Sequence, residues 1–239
     1  MLAHVPNIND FVKAYSMLLK PNGIATFEFP HLLNLVNECQ FDTIYHEHYS
    51  YLSLTVVRTI FEANGLAIFD VEELETHGGS LRVYAQRSDS GQQRETDAVR
   101  ELESKERKSG ISAIEFYQGF QGKAEKIKTD FISFLVSAKQ QGKKVAAYGA
   151  VAKGNTIINY SGIRSDLLSY VADRNPAKQY TYMPGSRIPI ADEDQLQLEK
   201  PDYVIILPWN LKVEVMSQLK YIERWGGRFV TAVPSLITA

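Results

Sequence analysis

Apolar residues recur at Phe11, Val12, Tyr15, Leu18 and Leu19 with the three- and four-residue spacing of one helical face. Residues 9–19 are therefore predicted as an amphipathic helix. Asn9 or Asp10 is placed to cap its start, and Pro21-Asn22-Gly23 ends it. Residues 24–29 then read as a buried strand, and residues 52–64 as a second helix closed by Gly65, a suitable residue for the left-handed turn past a helix end. Two strands follow, 67–74 and 80–86, joined around Thr76-His77-Gly78-Gly79. This order predicts an α/β layer that finishes antiparallel.

The pattern then loosens. Residues 88–108 are polar and charged with few apolar anchors, and read as a solvated linker running into a long helix. That helix continues through residues 116–140, where Phe116, Phe120, Ile127, Phe131, Phe134 and Leu135 recur. Past Lys143 the alternation changes again. Strands at 145–148, 167–172, 203–206 and 228–232 alternate with helices at 153–160 and 211–225, which predicts a small doubly wound parallel sheet. The chain thus divides into residues 1–87, a linker and connecting helix at 88–142, and a second domain at 143–239.

Composition narrows the function class. The 239 residues are 44% hydrophobic and 23% charged, with a formal net charge of −2. This is the make-up of a globular protein, with no basic excess to attract nucleic acid or an anionic membrane. The single cysteine, Cys39, excludes an intrachain disulfide and a cysteine-rich metal site, and no metal ligand set is expected. No apolar run reaches membrane-spanning length and residues 1–20 lack a signal-peptide pattern, so a cytoplasmic protein is expected.

The densest chemistry lies in FDTIYHEHYSY, residues 41–51, where Tyr45, His46, Glu47, His48 and Tyr49 are consecutive. Acid–base groups packed this closely are costly to bury unless they satisfy one another or do chemistry. In an extended segment His46 and His48 would face away from Glu47; in an irregular loop Glu47 and His48 could converge on one pocket. A general base tuned by a neighbouring carboxylate and phenol is the functional reading; a polar surface loop is the plain one. The spacing of His46 and His48 does not fit the zinc-protease pattern. His4 lies at the presumed end of a strand, and strand ends face the ligand crevice in open α/β sheets.

In GAVAKGNT, residues 149–156, small residues open a helix after a strand, which suits a phosphate held by Lys153, Gly154, Asn155 and the backbone. A tight strand–helix turn needs the same glycines. Val151 replaces the middle glycine of a dinucleotide fingerprint, which argues against an NAD(P)-dependent oxidoreductase, and Asn155 replaces the P-loop lysine. Asp173 and Arg174 stand where a ribose-binding acid would follow, in what is equally a turn sequence. His77 and Ser80 flank a glycine pair that a hairpin explains by itself, and Glu28 and Pro30 end the strand before the histidine-rich loop as pocket-wall candidates or as a plain strand terminator; His77, Ser80 and Glu28 are the substrate-binding candidates.

The strings LAHVP, EFPH, FDTIYHEHYSYLSL, HGGSLRVYAQ and YGAVAKGNTIINY closely resemble the S-adenosylmethionine-dependent C-methyltransferases of nucleotide-linked 4-keto deoxysugars. The resemblance implies the last part of a class I methyltransferase sheet followed by a Rossmann-like C-terminal domain. It implies methyl transfer to the carbon α to the ketone, with His48 as general base, Glu47 and Tyr45 beside it, and His4 orienting the keto sugar. The family's zinc cysteines, its glycine-rich donor loop and the acidic residue after its second strand have no counterpart in this sequence. Met1 is accordingly read as an internal start, with zinc expected only in a preceding region and S-adenosylmethionine binding weak. A catalytically inactive, nucleotide-sugar-binding remnant is the alternative.

Overall fold

A computed structural model describes residues 2–239, which divide into two compact units. The first unit holds the chain up to Asn37 together with His46–Gly119. Its elements are α1 (Ile8–Leu18), β1 (Ile24–Pro30), α2 (Leu32–Asn37), α3 (Leu54–Ala63), β2 (Leu66–Leu74), β3 (Ser80–Arg87) and α4 (Asp97–Ser109). Asn7 caps α1 by accepting from the Asp10 N–H at 3.0 Å, in place of the predicted Asn9 or Asp10. The start moves because Ile8 joins the apolar face and packs on the core.

The three strands form one sheet in the order β1-β3-β2, with β3 antiparallel to both neighbours. Alternation sorts the side chains: Ala25, Phe27 and Phe29 of β1 and Leu81, Val83 and Ala85 of β3 are buried. Glu28 lies opposite Arg82 on the other face. Helices α1, α3 and α4 cover the apolar face through Val12, Leu54, Val57, Phe61, Val99 and Leu102. The stretch read as a solvated linker is thus a helix from Asp97 onward. Val99, Leu102 and a fully buried Glu106 share its inner face, and the glutamate made that face look polar in sequence.

The second unit holds Glu38–Tyr45 and Phe120–Ala239. It contains α5 (Phe120–Gln140), β4 (Val145–Tyr148), α6 (Ala152–Tyr160), β5 (Val171–Ala172), β6 (Ile190–Ala191), α7 (Asp194–Glu199), β7 (Tyr203–Ile206), α8 (Lys212–Gln218), β8 (Arg228–Thr231) and β9 (Ile237–Thr238). The sheet order is β6-β5-β4-β7-β8-β9, parallel except for β9. Successive residues face opposite cores: Val145, Ala147, Ile205 and Val230 meet α5 and α6, whereas Ala146, Tyr148, Val204, Ile206 and Phe229 meet α7 and α8. The strand order reverses between β4 and β7, the place where open α/β sheets form a ligand crevice.

Three predicted elements shorten: the helix read over 116–140 begins at Phe120, with Phe116 in a separate 3-10 turn, Ile114–Tyr117. Residues 167–168 turn on the Arg164 carbonyl before β5 begins, and the predicted 211–225 helix breaks after Gln218 into a 3-10 stretch, Lys220–Trp225. Leu219 and Ile222, three apart and both fully buried, suit that tighter winding.

Candidate active site

The histidine-rich segment is an irregular loop. It opens with a 3-10 turn at Phe41–Thr43, bends at His46 and Glu47, and meets α3 through Leu52 and Ser53. His46 and Glu47 are exposed at the bend, while His48 and Tyr51 are half-buried. In the first unit the His4 and His48 rings pack edge to face with centroids 4.8 Å apart, and Tyr51 lies 6.0 Å from His48 on another side. Backbone bonds hold this contact, since the N–H groups of Tyr49 and Ser50 both donate to the Ala3 carbonyl. His4 reaches the loop from a 3-10 turn, Leu2–His4, rather than from the predicted strand end. Leu2 and Ala3 are both buried, and a strand would have turned one of them outward.

Two of the pocket-wall candidates of this unit are engaged with Thr76 and Arg82. Glu28 accepts from Arg82 at 2.9 Å and from Thr76 at 3.1 Å, and Arg82 above all holds its carboxyl below the ordinary range. Buried Ser80 donates to the Thr76 carbonyl, while His77 is exposed with a left-handed backbone, φ 59°. Gly79 continues that turn at φ 112°, and a Cβ there would meet the Asn34 amide at 2.2 Å. The turn is thereby held at the carboxyl end of β1, where the Gly79 carbonyl accepts from the His31 N–H.

Sequence reasoning missed a buried pair in the same unit. His31 Nε2 lies 2.8 Å from Glu106 Oε1, and both side chains are fully buried. Burial works to raise the Glu106 pKa, but hydrogen bonds from His31, Thr55 and Leu54 outweigh it and hold the carboxyl below its ordinary value. The histidine of EFPH was visible as a residue following a strand; its partner, in a charge-rich helix, carried no such signal.

In the second unit, Asp42 and Tyr45 belong to the segment Glu38–Tyr45. Asp42 is buried and accepts from the Trp209 indole N–H at 2.6 Å, while its Oδ1 has no hydrogen-bond partner among the described residues. Burial pushes its carboxyl up to about 6, against the opposing pull of the indole and of Lys153. Lys153 turns inward, with Nζ 4.1 Å from the Trp209 ring centroid and 2.9 Å from Asn210 Oδ1. Burial lowers its ammonium to about 8, with Asp42 opposing.

The two glycines around Lys153 have packing reasons. A Cβ on Gly149 would meet Pro208 at 2.7 Å, and one on Gly154 would meet Leu207 at 2.7 Å. Asp173 accepts from the Ala150 and Asn175 N–H groups at 2.7 and 2.8 Å, so it ties the turn after β4 to the turn after β5. Asn155 accepts from Asn159, and exposed Arg174 reaches Gln218. Among the described residues no group of three His, Cys, Asp or Glu side chains is placed to hold a metal, and no helix is long and apolar enough to cross a membrane.

Residues 75–234 match the family model described as the C-methyltransferase C-terminal domain. The chain is also 35% identical over 232 residues to "C-methyltransferase NovU" of Streptomyces niveus, which covers 97% of this chain and 55% of that protein. It therefore spans about half the length of the curated relative it matches. On these residues the chain belongs to the C-methyltransferase family defined by that C-terminal domain.

Proposed function

We propose that the first unit carries the proton-transfer site of a sugar C-methyltransferase acting on a nucleotide-linked 4-keto deoxysugar. The observation that carries this reading is the meeting of the His4 and His48 rings on a backbone pinned at Ala3. His48 removes the proton on the carbon α to the ketone, for which an imidazole with an ordinary pKa near operating pH is suited. His4 orients the ketone and supplies an N–H toward the oxygen on which negative charge grows. Glu47 is assigned a supporting role by the family resemblance, and His77, Ser80 and Glu28 the wall of the sugar pocket. The antiparallel β3, lying between two strands that share a direction, supports reading the unit as the end of a class I methyltransferase sheet.

In the second unit, taken by itself, the nucleotide-sugar phosphates are assigned to the turn at 149–156. The backbone amides opening α6, which has no side-chain cap, are the contact we favour, and the sequence adds Asn155 and Arg174 as candidates.

S-adenosylmethionine, the donor implied by the family, supplies an electrophilic methyl group. The described residues do not fit it. The one glycine-rich strand-to-helix turn, 149–154, has its glycines closed by Pro208 and Leu207, and Asp173 is bonded within the turn. The reading is tested without the donor, by incubating the chain with a nucleotide-linked 4-keto deoxysugar in D2O and following deuterium uptake at the α carbon by NMR. Uptake that is lost in His48→Gln is expected; uptake unchanged in that variant would overturn it. Binding of the sugar nucleotide with no exchange would favour the non-catalytic alternative.

A further inference from the structure

We infer that Glu106 and His31 form a buried positioning pair that fixes the exit of the loop carrying His48. The inference rests on the proposed role of that loop, but its geometry stands apart from the reaction. Four donors converge on the Glu106 carboxylate. His31 Nε2 and the Leu54 N–H reach Oε1 at 2.8 and 2.7 Å, while the Thr55 N–H and hydroxyl reach Oε2 at 2.9 and 2.6 Å.

Leu54 and Thr55 are the first two residues of α3. The third, Val56, donates to the Ser53 side chain at 3.2 Å. Glu106 and Ser53 together therefore satisfy the three amides that open the helix, and the negative charge lies at the end where the helix dipole favours it. A carboxylate arriving from α4, fifty-odd residues later in sequence, does the work normally left to a local cap.

The same carboxylate holds His31, and the backbone at His31 ties two further pieces together. Its N–H donates to the Gly79 carbonyl, it bridges Leu52 in parallel, and the next N–H, of Leu32, donates to the Leu52 carbonyl at 2.9 Å. The stretch leaving His48 is thus pinned at 49–50 to Ala3, at 52 to Leu32, and at 54–55 to Glu106. His31 Nδ1 is buried without a partner, so Glu106 is the ring's one hydrogen-bond anchor among the described residues. Removing the carboxylate unfastens the ring and the helix start at once.

A purely structural glutamate would add stability and leave the histidine contact alone. The test uses the full chain with 13C-labelled histidine and reads the NOE between the His4 and His48 rings in Glu106→Ala. The control is Leu102→Ala, on the same buried face of α4 and outside the hydrogen-bond cluster. Loss of at least half the inter-ring NOE in Glu106→Ala, with retention in folded Leu102→Ala, is expected. His31→Gln, which can still donate to the carboxylate, should restore more of the NOE than His31→Ala. An NOE unchanged in folded Glu106→Ala, or lost equally in Leu102→Ala, would overturn the inference. Should Glu106→Ala not fold, Thr55→Val removes one donor; faster amide exchange at Leu54 with a weakened NOE supports the pair, and an unaltered NOE refutes it. Absence of α-proton exchange in the wild-type chain would sink the proposed reaction and leave this result untouched.

Discussion

The Trp209 indole donates to Asp42 at 2.6 Å, joining two residues of the second unit that stand 167 positions apart. Phe41 next to it packs on Tyr160 of α6, ring centroids 5.2 Å apart. The sheet's switch-point edge is therefore occupied in part by the chain's own early segment, and the ionisation of Asp42 becomes a term in stability.

The sign of that term follows from the burial shift. The carboxyl titrates at about 6 in the folded chain against 3.8 ordinarily. Stability is fully present below the ordinary value and is lost as pH rises toward 6, because the unfolded chain releases the proton first. A shift of about two units corresponds to about 3 kcal/mol at most. Urea unfolding between pH 4 and 7 should show wild type declining relative to Asp42→Asn, which keeps the indole acceptor without the charge.

Lys153 distinguishes a binding side chain from a packing one. With Nζ on Asn210 and the Trp209 ring, Lys153→Ala should lower the melting temperature and change nucleotide-sugar affinity less than twofold. Calorimetry with the sugar nucleotide beside a thermal scan separates the two; a tenfold loss of affinity at unchanged stability would assign the ammonium to the phosphates.

Glycines of this unit should respond oppositely to one added methyl group. At Gly154 the new Cβ lies 2.7 Å from Leu207, so Gly154→Ala should cost about 1–3 kcal/mol by overpacking. Gly122, inside α5, has nothing within 4 Å of that position, and Gly122→Ala should stabilise by about 0.5–1 kcal/mol. Denaturant midpoints with equal slopes would measure both.

At the histidine pair, His48→Ala should reduce α-proton exchange by about 100- to 10,000-fold, the range for loss of a general base. His4→Ala should reduce it less, since the base remains. Equal losses would mean that the two rings act as one unit.

Periodicity made the regular elements legible. Alternation along β1 and β3 and the three-four spacing in α1 and α5 were visible because water sorts those side chains by face. The site was legible as a string of residue types, and its partner His4 as a resemblance. What stayed hidden were contacts between polar groups that bury one another. Glu106 reads as one more charge in DAVRELESKERKS, and Asp42 as a turn residue, until His31 and Trp209 are beside them. Short elements such as β6 and β9 were missed because two residues carry no period.

The strand order of the first sheet also sets a sequence of events. β1 and β2 do not pair with each other; among the described residues each pairs only with β3, the last of the three to be made. Among the described strands neither β1 nor β2 has its partner until Arg87 has been made, so this three-stranded sheet closes in one late, long-range step of the kind that slows folding. The histidine loop and α3 lie inside the stretch that this closure encircles. Order around that loop should therefore arrive abruptly rather than by degrees.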